Sequence, residues 1–215
     1  MRLLKKSILY LIGFLITHFL HAQSGVTFDG SQVFSTFKFV NSEGALDKNF
    51  SSISGSAYNL GYLHTTKHRI LLGGGIGLRK AGASKVVNET DITWNLQYAE
   101  AKFQVGYLFD KWRVSPVVLL SPYFASLLNA NESIGGKYYD IKSQNLINKT
   151  DLGITTSLGV NIKLSDYIYM YSFYNQIFGL KNIEVNPNQK QYNRGFSLTL
   201  GLAFTINKLS PKWIQ

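Results

Sequence analysis

Apolar and polar residues alternate with period two along most of the chain beyond residue 25, the pattern of strands that present one face to each of two environments. The clearest run is Leu152, Ile154, Thr156, Leu158, Val160, Ile162, Leu164, set against Gly153, Thr155, Ser157, Gly159, Asn161, Lys163. Phe196, Leu198, Leu200, Leu202, Phe204, Ile206 repeat it against Gly195, Ser197, Thr199, Gly201, Ala203, Thr205. Shorter alternations begin at Ile70, Phe103 and Val114, and 26–40, 54–64 and 167–180 are weaker but aromatic-rich. The pattern predicts eight strands, at 26–40, 54–64, 69–80, 92–109, 112–128, 151–164, 167–180 and 192–206. In the fourth, the apolar phase moves from Trp94, Leu96, Tyr98 to Phe103, Val105, which predicts a β-bulge near 99–101.

The connections between these strands alternate in length. Polar stretches at 41–53, 81–91, 129–150 and 181–191 are long, whereas Thr65–His68, Asp110-Lys111 and Ser165-Asp166 are short. Outer-membrane barrels are built this way, with even strand number, short periplasmic turns, long extracellular loops and both termini periplasmic. The polar face is Gly, Ser, Thr and Asn with few charges, which fits a narrow lumen. The apolar face is continuous, and nothing else in the chain could cover it. A soluble barrel would be apolar inside and charged outside. The expectation is therefore an all-β, eight-stranded antiparallel up-and-down transmembrane barrel over 23–206. Tyr58, Tyr62, Tyr107, Tyr123, Tyr167, Tyr169 and Tyr192 would supply interfacial girdles.

The first 22 residues have a different pattern. Arg2, Lys5 and Lys6 precede an apolar run from Ile8 to Leu20, followed by His21-Ala22. The run is too short to span a bilayer, so 1–22 reads as a secretory signal peptide. Residues 207–215 read as a short periplasmic tail. Composition agrees: charged residues are 16% of the chain, aromatics 14%, and cysteine is absent. The missing cysteines exclude disulfides, thiolate metal sites and a cysteine nucleophile.

Three stretches carry a family likeness. Asn95-Leu96-Gln97-Tyr98-Ala99-Glu100-Ala101, followed by Val105-Gly106-Tyr107-Leu108-Phe109, resembles the Y-x-E strand of small outer-membrane barrels of Bacteroidota, the PorT-like group. Ser121-Pro122-Tyr123-Phe124-Ala125-Ser126-Leu127-Leu128 resembles that group's Gly-Pro-Tyr strand, with Ser121 in place of glycine. Asp151-Leu152-Gly153-Ile154 with Leu158-Gly159-Val160 is similar to its sixth strand. Thr199-x-Gly201-x-x-Phe204-x-Ile206 resembles the C-terminal signal read by the barrel-assembly machinery. The resemblance covers the chain after the signal peptide. It implies an outer-membrane location and, for one branch of the group, participation in type IX protein secretion.

Little in the chain supports catalysis. His64 and His68 sit at a short turn beside Lys67 and Arg69, away from the rim where a barrel hydrolase keeps its histidine. Gly73-Gly74-Gly75-x-Gly77 lacks the Lys-Ser/Thr and the helix of a phosphate loop. No cofactor, metal site or enzymatic activity is expected. The net charge of +10 matters because of where it falls. Strand phase points Lys38, Arg79, Lys102, Arg113 and Lys163 inward with Glu100, giving a cationic lumen of +4 and neutral outer loops. A basic wall rather than a basic outer patch argues against nucleic acid. Two functions follow. The barrel is a structural or interaction protein, docking an envelope or secretion partner through outer loops or periplasmic turns; or its lumen is a narrow anion-preferring channel or solute site. A role as an accessory of type IX secretion or envelope assembly is a weaker third. Membrane lipid and the assembly machinery are the expected partners in each case.

Overall fold

The computed structural model describes residues 23–109 and 112–207; the expected signal peptide and most of the expected tail lie outside them. Ten strands form one antiparallel sheet, and no helix occurs among the described residues. In chain order they are β1 (Gln23–Val40), β2 (Leu46–Asp47), β3 (Ile53–Thr65), β4 (Ile70–Val87), β5 (Thr90–Leu108), β6 (Val114–Ile134), β7 (Lys137–Asp140), β8 (Thr150–Lys163), β9 (Ile168–Gly179) and β10 (Lys190–Asn207). Eight are long, each pairs with its neighbours, and β10 pairs back to β1 from Ser24↔Asn207 to Val40↔Lys190. The sheet is thus a closed up-and-down barrel of eight strands, with β2 and β7 as short additions at one end.

Alternation assigns the two faces. On β10, Ser197 and Thr199 are buried while Leu198 and Leu200 lie open, Leu200 at 60% exposure. Phe28, Leu60, Ile76, Leu158 and Ile206 likewise point out. A soluble monomer rarely exposes a contiguous apolar patch above a few hundred Å². Here the apolar exterior encircles the molecule, as a barrel surrounded by hydrocarbon requires.

The two ends differ. Turns at 66–69 and 164–167, the end of β5, the start of β6, the start of β1 and the end of β10 share one end. The opposite rim carries 41–52, the β4–β5 hairpin, 135–149 and 180–189. Two features of this rim depart from expectation. The segment 81–91 is not a loop: β4 and β5 continue to a two-residue turn at Asn88-Glu89, both with positive φ (47° and 63°). Asn tolerates that conformation, and paired positive φ values give the turn whose twist matches a hairpin. Polar residues such as Lys80 and Ser84 there mark a strand whose outer side has left the lipid, not a break in the strand.

The bulge is also elsewhere. β4 and β5 pair without a shift from Ile70↔Tyr107 to Val87↔Thr90. The register shifts instead between β5 and β6, where Gln97 faces Asn129 and Tyr98 faces Leu127, leaving Leu128 extra on β6. Inward residues change accordingly from Leu127 to Ala130. What looked like a phase switch in β5 is a change in lumen chemistry. Leu96, Tyr98, Glu100, Lys102 and Gln104 share the inner face, apolar towards the rim and polar below.

Candidate functional site

The lumen is layered. Near the turn end, Leu71, Leu108, Val117 and Leu119 pack with Leu63 and Phe173. Near the rim, Val33, Phe37, Leu96, Tyr98, Tyr123, Leu127 and Ile177 form a larger apolar layer. Loops complete it from above: Ile141, Ile147 and Ile183 are buried in the mouth, held by Asn148 N donating to Ile183 O at 2.8 Å. Burying one such side chain contributes about 1.5–3 kcal/mol. The longest polar stretch, 129–150, is in part strand: β6 runs on to Ile134 and β7 pairs back on it. Tyr138 and Tyr139 are exposed, as are 135–137 and 143–146, while Ile141 and Ile147 turn inward.

Between these layers lies a polar middle with a cavity of about 80 Å³. At its top, Arg79 is buried against two carboxylates. Its Nε donates to Glu100 Oε2 at 2.6 Å and its Nη2 to Asp151 Oδ2 at 3.3 Å. The guanidinium stacks near Tyr98 and Tyr123, 5.3 and 5.0 Å from their ring centres. Asp151 Oδ2 also accepts from Tyr123 OH at 3.1 Å and Asn193 Nδ2 at 2.9 Å. A buried carboxylate or guanidinium is tolerated only when paired and hydrogen-bonded, and this network supplies both. Across the cavity, Asn59 Nδ2 and Tyr171 OH donate to Asp29 at 2.6 and 3.1 Å. Asn175 Nδ2 donates to Thr199 Oγ1 at 2.7 Å.

The six expected lumen charges separate into three groups. Arg79, Glu100 and Lys102 face the cavity. Arg113 and Lys163 do not: they are exposed at the turn end, where Lys163 pairs with Asp166 at 3.0 Å. Lys38 points outward, because Val33, Ser35 and Phe37 hold the inner phase of β1. Two carboxylates were missed, Asp29 and Asp151. Both were legible in phase, since Phe28 and Leu152 beside them face out. The middle of the lumen therefore holds Arg79 and Lys102 against Asp29, Glu100 and Asp151, a balance of −1 and not +4. The cationic lumen is corrected, and with it the ground for an anion path. His64 is also not a turn residue; it lies in β3, hydrogen-bonded to Ser24 Oγ at 2.9 Å.

Packing around Asp151 leaves no room for growth. A Cβ on Gly153 would stand 2.4 Å from both the Tyr123 hydroxyl and Phe178 O. Gly153→Val is expected to displace Tyr123 from Asp151 and lower unfolding free energy by about 1–3 kcal/mol, read from urea titration in lipid vesicles.

The loop 41–52 is tied down at the rim. Lys85 Nζ donates to Asp47 Oδ2 at 2.6 Å, and Phe50 packs on Phe37 and Trp94. The Lys85 hydrogen bond, with the Asn49 amide, holds the Asp47 carboxyl below its ordinary value. A depressed carboxyl stabilises above its unfolded value, about 3.9, and loses that contribution as pH falls through the folded one. In NMR titration, Asp47 is expected to protonate below the usual Asp range in the wild type, and close to it in Lys85→Ala.

Against solved structures, the chain is similar to Neisserial surface protein A, at 15% identity over 84% of this chain and 96% of that one, TM-score 0.51. It is similar also to OprG from Pseudomonas aeruginosa, at 8% identity over 87% and 97%, TM-score 0.54. The fold is that of the small outer-membrane β-barrels. At these identities the likeness extends to the fold alone. No family model matches the chain, and no curated protein matches it.

Proposed function

We propose that the protein is a non-enzymatic outer-membrane barrel that acts through its rim, with the rim outside the cell and both termini in the periplasm. The carrying observation is the plug: two apolar layers close the lumen above and below a small polar cavity, and the buried Arg79–Glu100–Asp151 network crosses it. Eight strands enclose only enough space for side chains, so the lumen is a scaffold for the loops and not a path. The exposed Tyr138, Tyr139, Val86 and Leu46 at the rim are the docking groups for an envelope or secretion partner; aromatic anchors are the usual centre of such contacts. The PorT-like kinship and entry through the barrel-assembly machinery rest on the sequence motifs.

Planar-bilayer recording tests the plug. No stepwise current is expected at any voltage from the wild type, nor from a variant with Ile141, Ile147 and Ile183 replaced by serine, because the turn-end layer of Leu71, Leu108, Val117 and Leu119 still closes the lumen. Stepwise current from the wild type would overturn the reading.

A further inference from the structure

Above the lipid-facing belt, the outer wall of β4, β5 and β6 carries an ordered set of unspent amides. Pairing places Lys80 beside Gln97 and Gln97 beside Asn129 in one row. The next row is Gly82, Asn95, Asn131 and Asp140, and Tyr138 stands beyond it opposite Ser133. All share the outer face, since Ala81, Leu96 and Ala130 between them are buried inside. With strands about 4.8 Å apart and alternate residues about 6.7 Å apart along them, the two rows form a platform roughly 10 Å wide. It borders a recess of about 270 Å³ lined by Lys80, Asn95, Gln97, Asn129, Asn131 and Tyr138.

The side chains of Asn95, Gln97, Asn129 and Asn131 make no hydrogen bond to any described residue, whereas those of Asn41, Asn148, Asn182 and Asn186 are committed to loop backbone. Each free amide offers two N–H donors and a carbonyl acceptor. The hydroxyls of a saccharide are both donors and acceptors, which successive amides can bond one by one along the ring edges, and the C–H face of a ring suits the exposed Tyr138. Directly below, Leu78, Ala99 and Ser126 form the next row, then Ile76, Ala101 and Phe124. The small Ala99 and Ala101 leave a shallow apolar track between larger neighbours, continuous with the amide platform.

We propose that this face binds a glycolipid, its saccharide headgroup on the Asn95–Gln97–Asn129–Asn131 platform and its alkyl chain along Ala99 and Ala101. The proposal rests on the lipid-facing reading of the barrel.

The test uses the folded barrel in phosphocholine micelles, following its side-chain amide signals by NMR. Decyl maltoside, methyl maltoside and decyl dimethylamine oxide are titrated separately, and the cold-versus-boiled gel shift of the same samples reports the barrel itself. Decyl maltoside is expected to shift the four amides saturably, methyl maltoside to do so at least about tenfold more weakly because it buries no chain, and the amine oxide not at all. Gln97→Ala with Asn131→Ala is expected to abolish the shifts while keeping the gel shift. Equal binding of methyl maltoside would overturn the lipid part and leave a site for free saccharide. No saturable shift with either sugar, or an equal shift with the amine oxide, would overturn the proposal, and with the gel shift intact it would do so without touching the barrel.

Discussion

Arg79→Met is expected to lower the unfolding free energy of the barrel by about 3–5 kcal/mol, the cost of stranding buried charge. Arg79 is the cation that both Glu100 and Asp151 touch, at 2.6 and 3.3 Å. Without it, two carboxylates remain beneath an apolar lid, with Tyr123 and Asn193 as the donors left to Asp151. The triple variant Arg79→Met, Glu100→Gln, Asp151→Asn removes all the charge at once. It is expected to recover most of the loss, since neutral amides can still bond to Tyr123 and Asn193. Urea titration in vesicles, followed by the cold-versus-boiled gel shift, measures both. Equal stability of Arg79→Met and wild type would mean that the network carries no weight.

The second large effect lies on the opposite face. Leu200 sits midway along the exposed run Phe196–Ile206 of β10 and is 60% open. Leu200→Arg is expected to cost about 2–4 kcal/mol, and Ile206→Arg, at the end of the run, about 0–1 kcal/mol. The same urea titration reads both. In a soluble barrel an exposed Leu→Arg would be nearly neutral at either position, so the depth dependence is the informative part.

Much of this architecture was legible because lipid enforces a rule along every strand. Where the wall faces hydrocarbon, alternate residues must be apolar; β10 shows that pattern without interruption and β8 with Thr156 as its one exception. The rule lapses above the membrane. There Gly82, Ser84 and Asp91 lie on strands that continue to Asn88-Glu89, so the polar stretch 81–91 imitated a loop. The lumen was harder to read, for a different reason. Glu100 and Arg79 lie well inside their strands, whereas Asp29 sits on weakly patterned β1, and Asp151, legible only through the outward phase of Leu152, opens β8 beside polar loop. Lys38 was misassigned on the same weak strand, where inward Phe37 reverses the usual chemistry of the faces. The apolar plug was not legible either. Ile141, Ile147 and Ile183 are isolated apolar residues in polar loops, and only folding brings them to one mouth.

In the lipid-facing barrel, the even-numbered face of β10 meets hydrocarbon and the odd-numbered face meets the lumen. The native chain has no cysteine, so single cysteines at 197, 198, 199, 200 and 202 can carry spin labels without background. Electron paramagnetic resonance in vesicles then compares collision with oxygen, which concentrates in hydrocarbon, against a water-soluble nickel chelate. Oxygen accessibility is expected to be high at 198, 200 and 202 and low at 197 and 199, with little nickel contact at any of the five. High nickel contact at 198, 200 and 202 would place the apolar face in water and contradict the account.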